Sequence, residues 1–320
     1  MPVLSPLARS TRRARHDPRM RIEIIEDPHE FAGRAQEFLA ARLERNVMAT
    51  VLAGVLRTAD GRAVSSTRDR AAPRPLFAVG SEPTTGEIVA AALRTPPWPL
   101  IAAGFDCRED AGELVRQWLE HDPQLDGVGA EPPTATALTQ AWRAQTGGTT
   151  DCVFREGLHE LTAVLDPPRP ATGHLRQATN DDRALLVEWE IRFATESGHG
   201  QPSQAAASVD RRLAAGYQFI WDDDGPTSTL GHNVQIAGAV RIGPVYTPPQ
   251  HRSRGYASAA VAALSRRLLT DGAERCMLFT DLSNPTSNRI YASVGFVRFA
   301  DWEQHRLTAA PPQTRPGPAH

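Results

Sequence analysis

Two stretches of this 320-residue chain set side chains and backbone in patterns that chemistry can use. The first is Val245-Tyr246-Thr247-Pro248-Pro249-Gln250-His251-Arg252-Ser253-Arg254-Gly255-Tyr256-Ala257. An apolar strand ends at Tyr246, two prolines break it, and Arg252-x-x-Gly255-x-Ala257 opens a helix. A loop feeding a helix start leaves several N–H groups without partners, at the positive end of the helix dipole. A phosphate or pyrophosphate is their natural ligand. Gly255 lets backbone approach closely, Ala257 keeps the first turn small, and Arg252 and Arg254 add charge. An ordinary exposed helix start is the competing reading, because arginine and glycine are common there. The second stretch is Thr280-Asp281-Leu282-Ser283-Asn284-Pro285-Thr286-Ser287-Asn288-Arg289-Ile290-Tyr291, followed by Gly295-Phe296. Asn284 caps a helix that has Pro285 at its first position and stops at Gly295. Asn284, Asn288 and Tyr291 then share one face. Two amides and a phenol on one stripe suit an extended polar ligand; the alternative is a half-buried tyrosine satisfied by backbone.

Together these motifs resemble the GNAT superfamily of acyl-CoA N-acyltransferases. The R/Q-x-x-G-x-G/A pattern stands as Arg252 to Ala257, and N-x-x-(A/S)-x-x-x-Y-x-x-x-G-F as Asn284 to Tyr291, Gly295 and Phe296, within 174–308. The resemblance implies that the backbone of Arg252, Ser253, Arg254, Gly255, Tyr256 and Ala257 holds the pyrophosphate of acetyl-CoA. It implies that Val245 and Tyr246 pair with the pantetheine arm, that Asn284 and Asn288 lie near the cofactor, and that Tyr291 protonates the departing thiolate. The reaction expected is direct attack of a primary amine on the thioester in a ternary complex, the carbonyl being polarised by an N–H near Val245. No metal is called for. Many relatives carry a carboxylate on the strand matching 236–246, and this chain has none there. By element order Glu196 and Asp281 are the candidate bases, against solvated or capping roles for each. His251 is expected to be exposed or to face phosphate, and Cys276 to be a core residue.

The elements that must position these groups follow from pattern. A strand is expected at 21–25, helices at 28–45 and 47–57, strands at 75–79, 87–93, 100–104 and 127–130, and helices at 109–120 and 134–144. Past the proline-rich 164–173, the expectation is strand 174–178, helices 181–195 and 206–215, and strands 217–222, 227–235 and 236–246. Helix 254–270, strand 275–281, helix 285–294 and strand to 308 close the series. This is an α/β (α+β) chain with a central mixed, largely antiparallel sheet flanked by helices. The order of elements in 20–163 looks like a worn copy of 174–308 that lacks the R-x-x-G-x-A loop. That predicts two tandem domains, as in some actinobacterial acyltransferases, joined by a linker at 164–173. A disordered arm at 1–19, with Met20 as an alternative start, and a disordered tail at 309–320 complete the expectation.

Composition narrows the function further. Charge is nearly balanced, with 35 basic and 37 acidic residues, which argues against nucleic acid or anionic membrane as partner. Every basic residue is arginine, so lysine Schiff-base chemistry and a lysine-bearing phosphate loop are excluded. Cys107, Cys152 and Cys276 form no C-x-x-C pair, which fits a reduced, cytoplasmic protein without a structural zinc site. The partners expected are acetyl-CoA and a small-molecule or peptide amine, with room for a homodimer. The alternatives are an acyl-CoA-binding sensor without chemistry, an aminoacyl-tRNA donor, or a sugar-amine acceptor as in mycothiol-synthase-like enzymes.

Overall fold

The computed structural model describes residues 20–62 and 74–310, so the expected arm and most of the expected tail lie outside the described residues. Strand β1 (Arg21–Ile25) leads into α1 (Pro28–Ala40), which starts where the Asp27 carboxylate accepts from the His29 N–H at 2.9 Å and Pro28 supplies a first residue needing no donor. Helix α2 (Asn46–Arg62) follows, then β2 (Leu76–Ser81), β3 (Ile88–Arg94) and β4 (Leu100–Ala103). Helix α3 (Arg108–His121), β5 (Gly127–Ala130), α4 (Pro132–Thr146) and β6 (Thr149–Leu161) complete the first half.

The second half repeats this order. It runs β7 (His174–Gln177), α5 (Arg183–Ser197), α6 (Ala205–Ala214), β8 (Gln218–Asp222), β9 (Pro226–His232) and β10 (Ala239–Tyr246). Helix α7 (Tyr256–Thr270), β11 (Arg275–Asp281), α8 (Pro285–Val294) and β12 (Val297–Thr308) end it.

One difference from the expected elements matters. Strand β6 has no counterpart among them. Its sequence TTDCVFREGLHEL mixes charge into both faces and offers no apolar run, so neither the strand nor the helix period stands out.

The twelve strands of the described residues form one sheet in the order β1-β2-β3-β4-β5-β12-β6-β11-β10-β9-β8-β7. Read from either end the order is the same, half for half, except that the two last strands have changed places. β12 pairs with β5 of the first half, and β6 pairs with β11 of the second. β6 and β12 also pair with each other along their length, antiparallel. Among the described residues only β4–β5 and β10–β11 are parallel.

Helices α1 and α2 cover one face through Phe31, Phe38, Leu39 and Met48, against Phe77, Leu158, Met277 and Trp302. Alternation along β6 puts Leu161 on the opposite face, where it meets Cys276, Leu278 and residues of α7 and α8. Helices α3 and α4 lie on that second face too, around Trp118, Leu138 and Trp142. The segment between the halves is strapped down rather than loose: Leu165 N–H donates to the Val294 carbonyl at 2.8 Å, and the Trp221 indole donates to the Thr172 carbonyl at 2.8 Å. Among the described residues no helix is long and apolar enough to cross a membrane.

Candidate active site

The site is built on a gap in the sheet. β10 and β11 pair only over Ala239–Arg241 with Arg275–Met277, yet β10 runs on to Tyr246 and β11 to Asp281. Past the third pair the strands diverge. β9 covers the far edge of β10 and β6 the far edge of β11, so the two inner edges face each other unpaired. Such an edge is a ready template for an extended ligand with amide groups.

The loop after β10 ends at the start of α7. Gly255, the residue before that helix, has φ of 85° and so needs to be glycine. A Cβ there would also stand 3.3 Å from the Arg169 carbonyl. Ser253 takes φ of 64°. Among the described residues the N–H groups of Ser253, Arg254, Gly255, Tyr256 and Ala257 find no acceptor in the protein. The first turn of α7 carries no acidic residue. This is the arrangement that favours a bound anion.

Several side chains of the loop have structural partners. Arg252 donates to the Thr247 carbonyl at 2.9 Å and to Glu196 Oε2 at 2.5 Å, so it braces the loop against the end of α5. Glu196 also accepts from the Tyr246 hydroxyl at 2.7 Å. The hydrogen bonds from Arg252 and Tyr246 hold the Glu196 carboxyl below the usual carboxylate range, which makes it a poorer proton acceptor. Tyr256 is buried, and its hydroxyl donates to Asp223. Any ligand contact of Tyr256 is therefore through its backbone. Arg254 is exposed, as is Ser253. Val245 is half-buried, and the Tyr246 carbonyl accepts from the Ser228 hydroxyl at 3.0 Å. His251 carries a buried Nδ1 without a partner.

On α8 the Asn284 side chain accepts from the N–H groups of Thr286 and Ser287, at 3.2 and 3.1 Å, and so caps the helix. Asn288 donates to the Asp281 carbonyl at 3.1 Å and leaves its own Oδ1 buried without a partner. Thr280 Oγ1, near the end of β11, is in the same state. Tyr291 packs edge-on against Phe296, with ring centroids 6.1 Å apart. Burial pushes its phenol up to about 12, so it is a proton-bearing hydroxyl at any physiological pH. Asp281 accepts from the Ser283 N–H at 2.8 Å and from its hydroxyl, an Asx turn that leads into α8. Cys276 is buried in the core and its thiol is pushed up to about 11, which leaves it inert.

Two further groups escaped the sequence reading. His199, just after α5, stacks on Phe154 of β6 at 3.8 Å. Its Nδ1 lies 3.2 Å from the Ser197 carbonyl and its Nε2 3.3 Å from Glu156 Oε1. Glu156 stands on β6 directly opposite Asp281. Burial alone would lower the His199 pKa, but the Glu156 contact and the nearby Asp281 charge outweigh it and raise it. Arg241 of β10 completes the group; burial pushes its guanidinium down to about 10, and Glu156 opposes that shift. The signal for His199 was a histidine between two glycines at a helix end. Glu156 gave none, because its strand was invisible.

On the opposite face of the β6–β12 pair, Cys152, Glu303 and His305 bring ligand atoms within 4.8 Å of one another. Glu303 there is already shared between Arg155 and His305. One cavity of about 210 Å³, lined by Leu39, Asn46, Ile236 and Arg275, lies away from the cradle.

Residues 232–307 match the family model described as FR47-like protein. A GCN5-related N-acetyltransferase from Sphaerobacter thermophilus superposes with a TM-score of 0.57 at 16% identity, over 90% of this chain and 95% of that one. A GNAT-family acetyltransferase from Colwellia psychrerythraea gives 0.55 at 11%, over 91% and 100%. A tandem GNAT protein from the clavulanic acid biosynthesis pathway gives 0.54 at 13%, over 92% and 100%. A search of curated proteins finds no match. The chain has the fold of these GNAT structures in tandem.

Proposed function

We propose that the second half is an acyl-CoA-dependent N-acyltransferase that moves an acetyl or similar acyl group to a primary amine. The observation that carries this reading is the coincidence of two features, the gap between β10 and β11 and the row of free N–H groups from Ser253 to Ala257 at its mouth. The amides take the pyrophosphate, with Arg254 beside them. The exposed strand edges take the pantetheine amides, and the thioester comes to rest between β10 and β11. Asn288 Oδ1 and Thr280 Oγ1, buried and unpartnered, are polar atoms in wait on the β11 side.

Attack by the neutral amine gives a tetrahedral intermediate, and its collapse expels a thiolate. Tyr291 donates the proton that thiolate needs. A phenol at about 12 is a weak acid beside a thiol of roughly 8.5 in water. The apolar surroundings that raise the phenol raise the thiol too, because each anion is desolvated in the same slot, so the transfer is closer to balanced than bulk values suggest. Glu196, tied to Arg252 and Tyr246, holds the loop; the Asp281 carboxylate closes the turn into α8.

The test is thiol release from acetyl-CoA with and without primary amines. Amine-dependent release is the expected result. Tight binding of acetyl-CoA with no release under any amine would favour a sensor instead.

A further inference from the structure

We infer that a Glu156–His199 pair receives and deprotonates the acceptor amine, so that the first half of the chain completes the active site of the second. This rests on the acyl-transfer reading above and supplies the base that β10 lacks.

The argument starts from position. Glu156 belongs to β6, which the first half contributes to the sheet next to β11. In antiparallel pairing, residues directly opposite point to the same face, so Glu156, Asp281 and Trp302 share one face. Arg241 and Met277 are aligned across β10 and β11, and Met277 is packed with Trp302, which puts Arg241 on that face too. The helix that begins the phosphate cradle packs on the other face, with Leu161, Cys276 and Leu278. A donor held from the α7 side therefore presents its thioester to the face that carries His199, Glu156 and Asp281. The acceptor must come from there.

The chemistry of that face fits a cation. Glu156 and Asp281 place two carboxyl groups at one level of the sheet; the first lies against the half-buried His199 imidazole and the second adds its charge to it. The side chains of His199 and Glu156 are only 23% and 12% exposed. With Nδ1–H turned to the Ser197 carbonyl, Nε2 is left buried without a well-aligned hydrogen bond, 3.3 Å from the Glu156 carboxylate. A proton placed between these two atoms satisfies both. The groups that face His199 are Glu156 from β6, Asp281 from β11 and the Phe154 ring, and Arg241 of β10 faces Glu156.

The protons balance. The ammonium gives one proton to the pair, its nitrogen forms the bond to the thioester carbon, and the C–S bond breaks. The thiolate takes the Tyr291 proton, and the second nitrogen proton restores the phenol. The products are an amide, free CoA thiol and one proton returned to water from the pair. The acceptor class is a primary amine that arrives as a cation.

The experiment combines three measurements on the full chain: acetyl-CoA affinity by calorimetry, the His199 titration by NMR, and the pH profile of thiol release with spermidine, glucosamine and a peptide with a free N-terminus. For the wild type, kcat/KM should rise with pH through an inflexion above the ordinary histidine value of roughly 6.5 that coincides with the His199 titration. In Glu156→Gln, only the Ser197 carbonyl and the Asp281 charge still oppose burial, so the titration and the inflexion move down together from their wild-type position. The plateau kcat drops at least ~10²-fold while acetyl-CoA affinity stays within about twofold. His199→Gln abolishes the inflexion. Should Glu156→Gln fail to fold, Glu156→Asp serves, with partial activity and an intermediate inflexion expected.

Variants that keep the wild-type rate and profile overturn this inference and leave the acyl-transfer reading standing. A wild type that binds acetyl-CoA yet releases no thiol with any of the three amines overturns the inference. A wild type that binds no acetyl-CoA overturns the reading beneath it.

Discussion

The two halves share one sequence of elements and differ at the same three places. After β10, nine residues lead to a helix whose first turn has no acidic side chain; after β4 only Gly104, Phe105, Asp106 and Cys107 intervene, and α3 opens with Glu109 and Asp110. The Asp110 carboxylate already accepts from the Met20 N–H at 3.0 Å, and Glu109 from the Cys107 thiol at 2.8 Å. A helix start that holds its own anions repels a pyrophosphate. Where α8 has Tyr291 as its seventh residue, α4 has Leu138, fully buried. Beside β11 the exchanged strand offers Glu156; beside β5 it offers Trp302, so tightly set that a Cβ on Gly129 would come within 3.2 Å of its indole. In the first half, core has grown into the space that, on the reading proposed above, the second half keeps for a ligand. The fold alone does not make a site; loop length, helix-start charge and one residue of the neighbouring strand do.

Four substitutions sharpen or break that contrast, in descending size of effect. Gly255→Val forces a β-branched residue into a left-handed conformation within 3.3 Å of a carbonyl, and calorimetry should show acetyl-CoA binding lost, a weakening of at least ~100-fold. Unchanged affinity would place the cradle elsewhere. Trp302→Ala should lower stability by about 3–5 kcal/mol in denaturant titrations, as expected of a buried tryptophan in a packed core. A small loss there, accompanied by a second CoA-binding event, would show that the first half is a working site after all. Tyr291→Phe should reduce kcat by ~10²-fold with acetyl-CoA affinity within about twofold; equal turnover across the pH range removes Tyr291 from the chemistry. Glu196→Gln should weaken acetyl-CoA binding several-fold by releasing Arg252, without moving the pH inflexion. Its carboxyl is held below the ordinary range, so it is fully ionised wherever the profile bends, and an inflexion that did follow Glu196 would make it the base.

Much of this was legible from the sequence. The cradle and α8 are local: prolines, a glycine at a positive φ, an asparagine cap and a helical stripe are all encoded within a few residues of one another. The repeated order of elements was visible for the same reason. Strand β6 was not, because its own residues mix charge into both faces, and it owes its place to β11 and β12, more than a hundred residues away. With β6 missing, neither the exchange of last strands nor the meeting of Glu156 with His199 could be read. Burial of Tyr256 and bracing by Arg252 were equally beyond pattern, since each depends on which partner the fold brings within reach.

The central claim is that the second half alone grips acyl-CoA, by its main-chain amides and the parted strands. A crystal structure with acetyl-CoA tests it most directly. The account predicts pyrophosphate oxygens in hydrogen-bond range of the N–H groups between Ser253 and Ala257, with the thioester sulfur near the Tyr291 hydroxyl. Acetyl-CoA seated at the start of α3, or in any groove that leaves those amides bare, would contradict it.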